Sequence, residues 1–129
     1  MGTLGGWCRG IGGSFYGTTA EGPIESGMFG SVFKITRTGT LTTLYSFCSQ
    51  SHCADGSVPG AGVIRGRDGN FYGTTIEGGA SYGAGSGTIF KIGPSGTLTT
   101  LYVFCGSETN QHDCPDGSFP AAGLVQGSD

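Results

Sequence analysis

Apolar and polar residues alternate along most of this chain in short runs, and the runs return in the same order. FYGTT, VFKI and LTTLYSF lie between Phe15 and Phe47. FYGTT, IFKI and LTTLYVF lie between Phe71 and Phe104. Alternation of period two, broken by Gly-, Asn- and Asp-containing turns, predicts short β-strands. Phe15 maps onto Phe71 with an offset of 56, and Phe33 onto Phe90 and Leu41 onto Leu98 with an offset of 57. Beyond the cysteine-containing loops the offset is 61, Asp55-Gly56-Ser57 mapping onto Asp116-Gly117-Ser118. Length changes therefore fall in loops, which marks a structural repeat.

Each unit reads as four antiparallel strands. In the second they are AGVIRG, NFYGTT, TIFKI and TLTTLYVF. Asp68-Gly69 joins the first two as a hairpin, because Gly accepts positive φ at low cost. Arg37-Thr38-Gly39 and Gly93-Pro94-Ser95-Gly96 join the last two in each unit. In the fourth strand Leu98, Thr100, Tyr102 and Phe104 share one face, and Thr99, Leu101 and Val103 the other. Both faces carry apolar groups, whereas a sheet with one wet face alternates more cleanly. Both faces are therefore expected to be covered. Four-stranded sheets stacked around an axis are propeller blades. The expected fold class is all-β, with two four-stranded antiparallel blades per chain. Residues 1–12 form an irregular segment or a degraded strand, since Gly6-Trp7-Cys8-Arg9-Gly10 aligns loosely with Gly62-Val63-Ile64-Arg65-Gly66. The first blade repeat occupies residues 13–60 and the second residues 61–120. Residues 121–129 begin another strand.

The string GNFYGTTIEGG followed by GTIFKIGPSGTLTTLYVF resembles the Gloeo/Verruco (GloVer) repeat, found in tandem in predicted secreted bacterial proteins. The resemblance spans about residues 13 to 129. It implies a propeller-like β-fold and an extracellular or periplasmic setting. It carries no defined catalytic motif.

Propellers have four to eight blades, and two units cannot close a ring. The internal junction AGVIRGRD–GNFYGTT is recreated when AGLVQGSD of one chain is laid before GGSFYGTT of another. Residues 121–128 are accordingly expected to complete the first blade of a neighbouring chain. Head-to-tail contacts of this kind close when the rotation fits. A homotrimer of six blades is favoured over a tetramer of eight. The alternative is a piece of a longer array.

Composition supports the loop-rich reading, with 28 glycines in 129 residues and no collagen-like period. No run of 18 apolar residues exists, so no membrane insertion is expected. The N-terminus lacks the apolar run of a signal peptide, so either an export signal has been removed or the chain is a fragment. Cys48 and Cys53 flank one loop, and Cys105 and Cys114 flank its counterpart. Two local disulfides and an oxidising compartment are expected. Zinc is the rival reading, but the spacings differ between the repeats and only His52 and His112 could complete a site. Cys8 is left over.

Charge adds the main functional clue. Strands of a blade run up and down in turn, which puts the long loops on one rim. That rim collects Glu21, Glu25, Asp55, Glu77, Glu108, Asp113 and Asp116, and no Lys or Arg. Lys34, Arg37, Arg65, Arg67 and Lys91 lie on strands or on the other rim. An acidic rim repels phosphate backbones, so nucleic acid is excluded as a partner. Neutral sugars fit better, and His52, Tyr82 and His112 would add polar or stacking contacts. The competing reading is a solvated acidic surface without a ligand.

Glu21 and Glu77 each follow Tyr-Gly-Thr-Thr and precede Gly. Paired carboxylates at a pore mouth would suit glycoside hydrolysis as acid and nucleophile or base. The structural alternative is a Glu that caps loop N–H groups. Asp55 and Asp116 sit in Asp-Gly-Ser and also read as turn formers. No cofactor is expected; calcium is a weak alternative, since it needs six to eight oxygens and no loop has EF-hand spacing. No serine elbow or phosphate-cradling loop is present. The leading expectation is a secreted glycan-binding module using Glu25, His52, Asp55, Tyr82, His112, Asp113 and Asp116. The alternatives are a glycoside hydrolase using Glu21 and Glu77, and a structural or adhesive repeat without a small ligand.

Overall fold

The computed structural model describes residues 8–9, 11–22, 29–79, 85–105 and 114–128. It is all-β, with two antiparallel sheets. The first contains β1 (Cys8–Arg9), β2 (Phe15–Thr19), β3 (Ser31–Ile35) and β4 (Leu41–Ser46). The second contains β5 (Ile64–Arg65), β6 (Phe71–Thr75), β7 (Thr88–Ile92) and β8 (Leu98–Val103). Both sheets have their strands in chain order, so every neighbour is also a sequence neighbour.

The repeat in sequence is a repeat in register. Phe15 faces Ile35 and Phe71 faces Ile92. The short turns close alike. Thr36 N–H donates to Thr40 C=O at 2.9 Å, and Gly93 N–H to Thr97 C=O at 3.0 Å. Cys8 pairs with Tyr16 and Arg9 with Phe15, as Ile64 pairs with Tyr72 and Arg65 with Phe71. The loose alignment of the N-terminus with AGVIRG thus corresponds to a short strand at the same sheet edge. Within one chain β1 holds this edge of β2, and residues 121–128 lie in no strand.

The faces of the fourth strands also differ from the alternation of the sequence. Phe90 faces Thr100 but Ile89 faces Tyr102, so Leu101 is an extra residue, a β-bulge. Leu44 is its counterpart, skipped between Thr43 and Tyr45. Past a bulge the side chains exchange faces. Val103 therefore joins Leu98 and Thr100, and Tyr102 joins Thr99.

The two sheets stack through unlike faces. Tyr16 and Val32 project from one face of the first sheet. Phe71, Phe90 and Ile92 project from the opposite face of the second. Together with Phe47 and Val63 they form one buried core. Tyr16 stacks on Phe71 at 4.0 Å between ring centroids, and Phe47 meets Phe90 edge-on at 5.2 Å. A Cβ on Gly73 would lie 2.6 Å from the tip of Phe90, so only Gly lets that ring cross β6. Burial of each such aromatic ring stabilises the stack by roughly 1.5–3 kcal/mol. On the other face of the first sheet Gly17 is buried and Phe15, Phe33 and Ile35 are half-buried.

Candidate functional site

The long loops join β2 to β3, β6 to β7, and each fourth strand to the segment that follows it. Antiparallel order puts them at one end of the sheets. Both expected disulfides are present in these loops, Cys48–Cys53 and Cys105–Cys114.

Asp55 is 1% exposed. Its carboxylate accepts hydrogen bonds from the Tyr45 hydroxyl at 2.6 Å, Ser49 N–H at 2.9 Å and Gln50 N–H at 3.2 Å. Those donors occupy the oxygens from inside the protein, so Asp55 is removed from the ligand-binding set. It clasps the disulfide loop to the end of β4. Burial, and then Asp55 itself, push the Tyr45 phenol well above its ordinary range. Asp116 accepts from the Tyr102 hydroxyl at 2.7 Å and from Cys105 N–H. The Tyr102 bond holds the Asp116 carboxyl below its usual value, and raises the phenol in turn. Asp116 repeats the tyrosine bond of Asp55 at the surface, with Cys105 N–H as backbone donor where Asp55 takes Ser49 and Gln50.

Glu77 is the residue that the fold brings to a defined place. Ser57 N–H donates to Glu77 C=O at 2.9 Å, and Glu77 N–H donates back to Ser57 C=O at 3.1 Å. Gly79 N–H donates to Cys53 C=O at 2.8 Å. The β6–β7 loop of the second unit is thereby sewn to the disulfide loop of the first, and the Glu77 side chain stays exposed. His52 is exposed on that adjoining loop, in a tight turn over Ser51–Cys53 with φ of 58°. Glu21 is also exposed, at the equivalent place of the first unit. Among the described residues no bridge joins Glu21 to Glu77. Glu25, Tyr82, His112 and Asp113 lie outside the described residues. Among the described residues no three His, Cys, Asp or Glu side chains gather to hold a metal ion. No helix of the described residues is long and apolar enough to cross a membrane.

Sequence reasoning missed the phenol partners of the aspartates. The available signal was a Tyr two residues before Phe-Cys in both units, always followed by Asp-Gly-Ser. It also missed a cluster on the opposite rim. Asp68 accepts from Tyr72 hydroxyl at 2.5 Å, Asn70 N–H at 3.1 Å and the Asn70 amide at 3.0 Å. The Tyr72 bond above all holds the Asp68 carboxyl at about 2.

A sequence pattern described as the Gloeobacter/Verrucomicrobia repeat matches residues 4–129. No curated protein matches the chain.

Proposed function

The chain belongs to the Gloeobacter/Verrucomicrobia repeat family, and on that premise we propose that it is a secreted binding module that takes glycans on its acidic loop rim. Each four-stranded sheet serves as one propeller blade. Three chains in a ring are favoured over four. One observation carries the reading: exposed Glu77 is bridged through its backbone to Ser57, beside a disulfide-closed loop that presents exposed His52. A carboxylate and an imidazole held on stapled loops lose little freedom when they bind, which favours affinity. Both groups exchange hydrogen bonds with sugar hydroxyls. Disulfides suit an oxidising, extracellular or periplasmic location.

A glycan array followed by calorimetry tests this. Glu77→Gln and His52→Ala are each expected to weaken binding about tenfold, the loss of one hydrogen bond to a charged or polar group. An array without hits sinks the glycan reading. Release of sugar that disappears in Glu77→Gln would replace it with hydrolysis. Indifference to every rim substitution would favour an adhesive or structural repeat.

A further inference from the structure

The contacts between the two sheets have a feature that the outer faces share. Each inner contact joins one residue type on the first unit to another on the second. For three of these contacts the equivalent of each half is exposed on the outside.

Gly56 is the first case. A Cβ on it would lie 2.8 Å from Thr75 and 2.9 Å from Thr88, so its Cα packs directly on that pair. Thr75 and Thr88 share a hydrogen bond of 2.7 Å and are fully buried. The equivalent pair, Thr19 and Ser31, makes the same bond at 2.8 Å at the surface. The equivalent glycine, Gly117, is exposed, and nothing among the described residues stands within 4 Å of a Cβ placed on it. Ser57 and Glu77 are the second case, with their two-way backbone bridge. Their equivalents Ser118 and Glu21 are both exposed. Third, Gly96 packs on the carbonyl of Leu44, at 2.7 Å from its Cβ position. Its equivalent Gly39 is exposed, and Leu101, the counterpart of Leu44, is 49% exposed.

All three cases run the same way. The second unit exposes the halves that the first unit uses inside, and the first unit exposes the halves that the second uses inside. We infer that a second copy of this chain docks there, the outer face of its first sheet on the outer face of this chain's second sheet. Gly117 then covers Thr19 and Ser31 of the copy, Ser118 bridges its Glu21, and Leu101 meets the turn at its Gly39. The contact repeats the internal one, so its charges and shapes already coexist within one chain. The Thr74 hydroxyl donates to Ala122 C=O as the Thr18 hydroxyl donates to Ala61 C=O, so residues 121–128 of this chain lie where β1 of the copy would stand, and one of the two gives way on docking. Because the two surfaces differ, the contact is heterologous and closes a ring or extends a stack. The inference rests on the blade reading of the sheets and not on glycan binding.

Light scattering on a sizing column tests it with the whole chain. The unaltered chain is expected to run as several copies. Thr19→Arg blocks one surface and Leu101→Arg the other; both positions are exposed, so the single chain keeps its fold. Each variant alone is expected to run as one chain. An equimolar mixture is expected to give the mass of two chains, since each partner retains the surface the other has lost. An unaltered chain that runs as a single copy at every concentration overturns the inference. So does a mixture that stays single, or a pair of variants that keep the unaltered mass. A second readout is independent of these. Glu21→Cys combined with Ser118→Cys is expected to give a ladder of linked chains without reductant, because directly opposed strand positions suit a disulfide. Absence of the ladder overturns the bridge. None of these variants changes Glu77 or His52, so glycan binding by the single-chain Thr19→Arg protein reports on the rim separately.

Discussion

Gly56 and Gly117 occupy equivalent positions with nearly the same backbone, at φ of 100° and 92°. Alanine at either position takes on an unfavourable positive φ, at a cost of about 1–2 kcal/mol. Among the described residues, only at Gly56 does the new methyl meet anything. It would lie 2.8–2.9 Å from Thr75 and Thr88. Those side chains cannot step aside. The Thr75 hydroxyl is tied to the Thr88 hydroxyl, to Thr88 N–H and to Glu77 C=O. Overpacking of this kind costs about 1–3 kcal/mol more. Gly56→Ala is therefore expected to be less stable than Gly117→Ala by that second amount. Both are to be made in the Thr19→Arg background, which keeps the chains apart. With a urea slope of about 1–1.5 kcal/mol per molar, the unfolding midpoints should differ by roughly 1–2 M. Equal midpoints would refute the claim that the Gly56 loop packs on the second sheet. The inter-sheet contact that serves as template for the copy would fall with it.

Asp55→Ala strands three donors around a buried site, and should cost about 2–4 kcal/mol in urea unfolding; Asp116→Ala, its counterpart at the surface, should cost clearly less. Replacing Cys48 and Cys53 by Ser should lower stability by about 2 kcal/mol, and replacing Cys105 and Cys114 by about 3 kcal/mol. The order follows from sequence separations of 5 and 9 residues. The Asp68 carboxyl should titrate at about 2 by NMR, and return toward 3.8 in Tyr72→Phe. The folded value lies below the unfolded one, so its contribution to stability is present above about pH 4 and is lost as the pH falls through about 2.

Much of the fold was legible in the residues. Period-two runs and turn glycines mark local events, which depend on a few neighbouring residues and recur wherever those residues recur. They located the strands that follow FYGTT, IFKI and LTTLYVF, their order, and the two disulfides. The same locality explains the errors. A bulge at Leu101 depends on pairing with β7, and no pattern within β8 announces it. The strand at Cys8 and Arg9 was faint for the same reason: it meets Tyr16 and Phe15 with only a weak sequence likeness to Ile64 and Arg65.

The candidate site divides along the same line. Sequence alone determined that Glu21 and Glu77 are equivalent, that the cysteines bracket equivalent loops, and that the long loops carry acids and no Lys or Arg. It could not separate Asp55 from Asp116, which share the motif Asp-Gly-Ser. Tertiary structure decided that difference: Asp55 is buried beside Gly56, which packs on Thr75 and Thr88, whereas Asp116 is exposed. Stacking also sewed Glu77 to the loop of the other unit, although Glu21 lies in a closely similar stretch of chain. Similar local sequences acquire different surroundings when one copy packs inside the stack and the other faces outward.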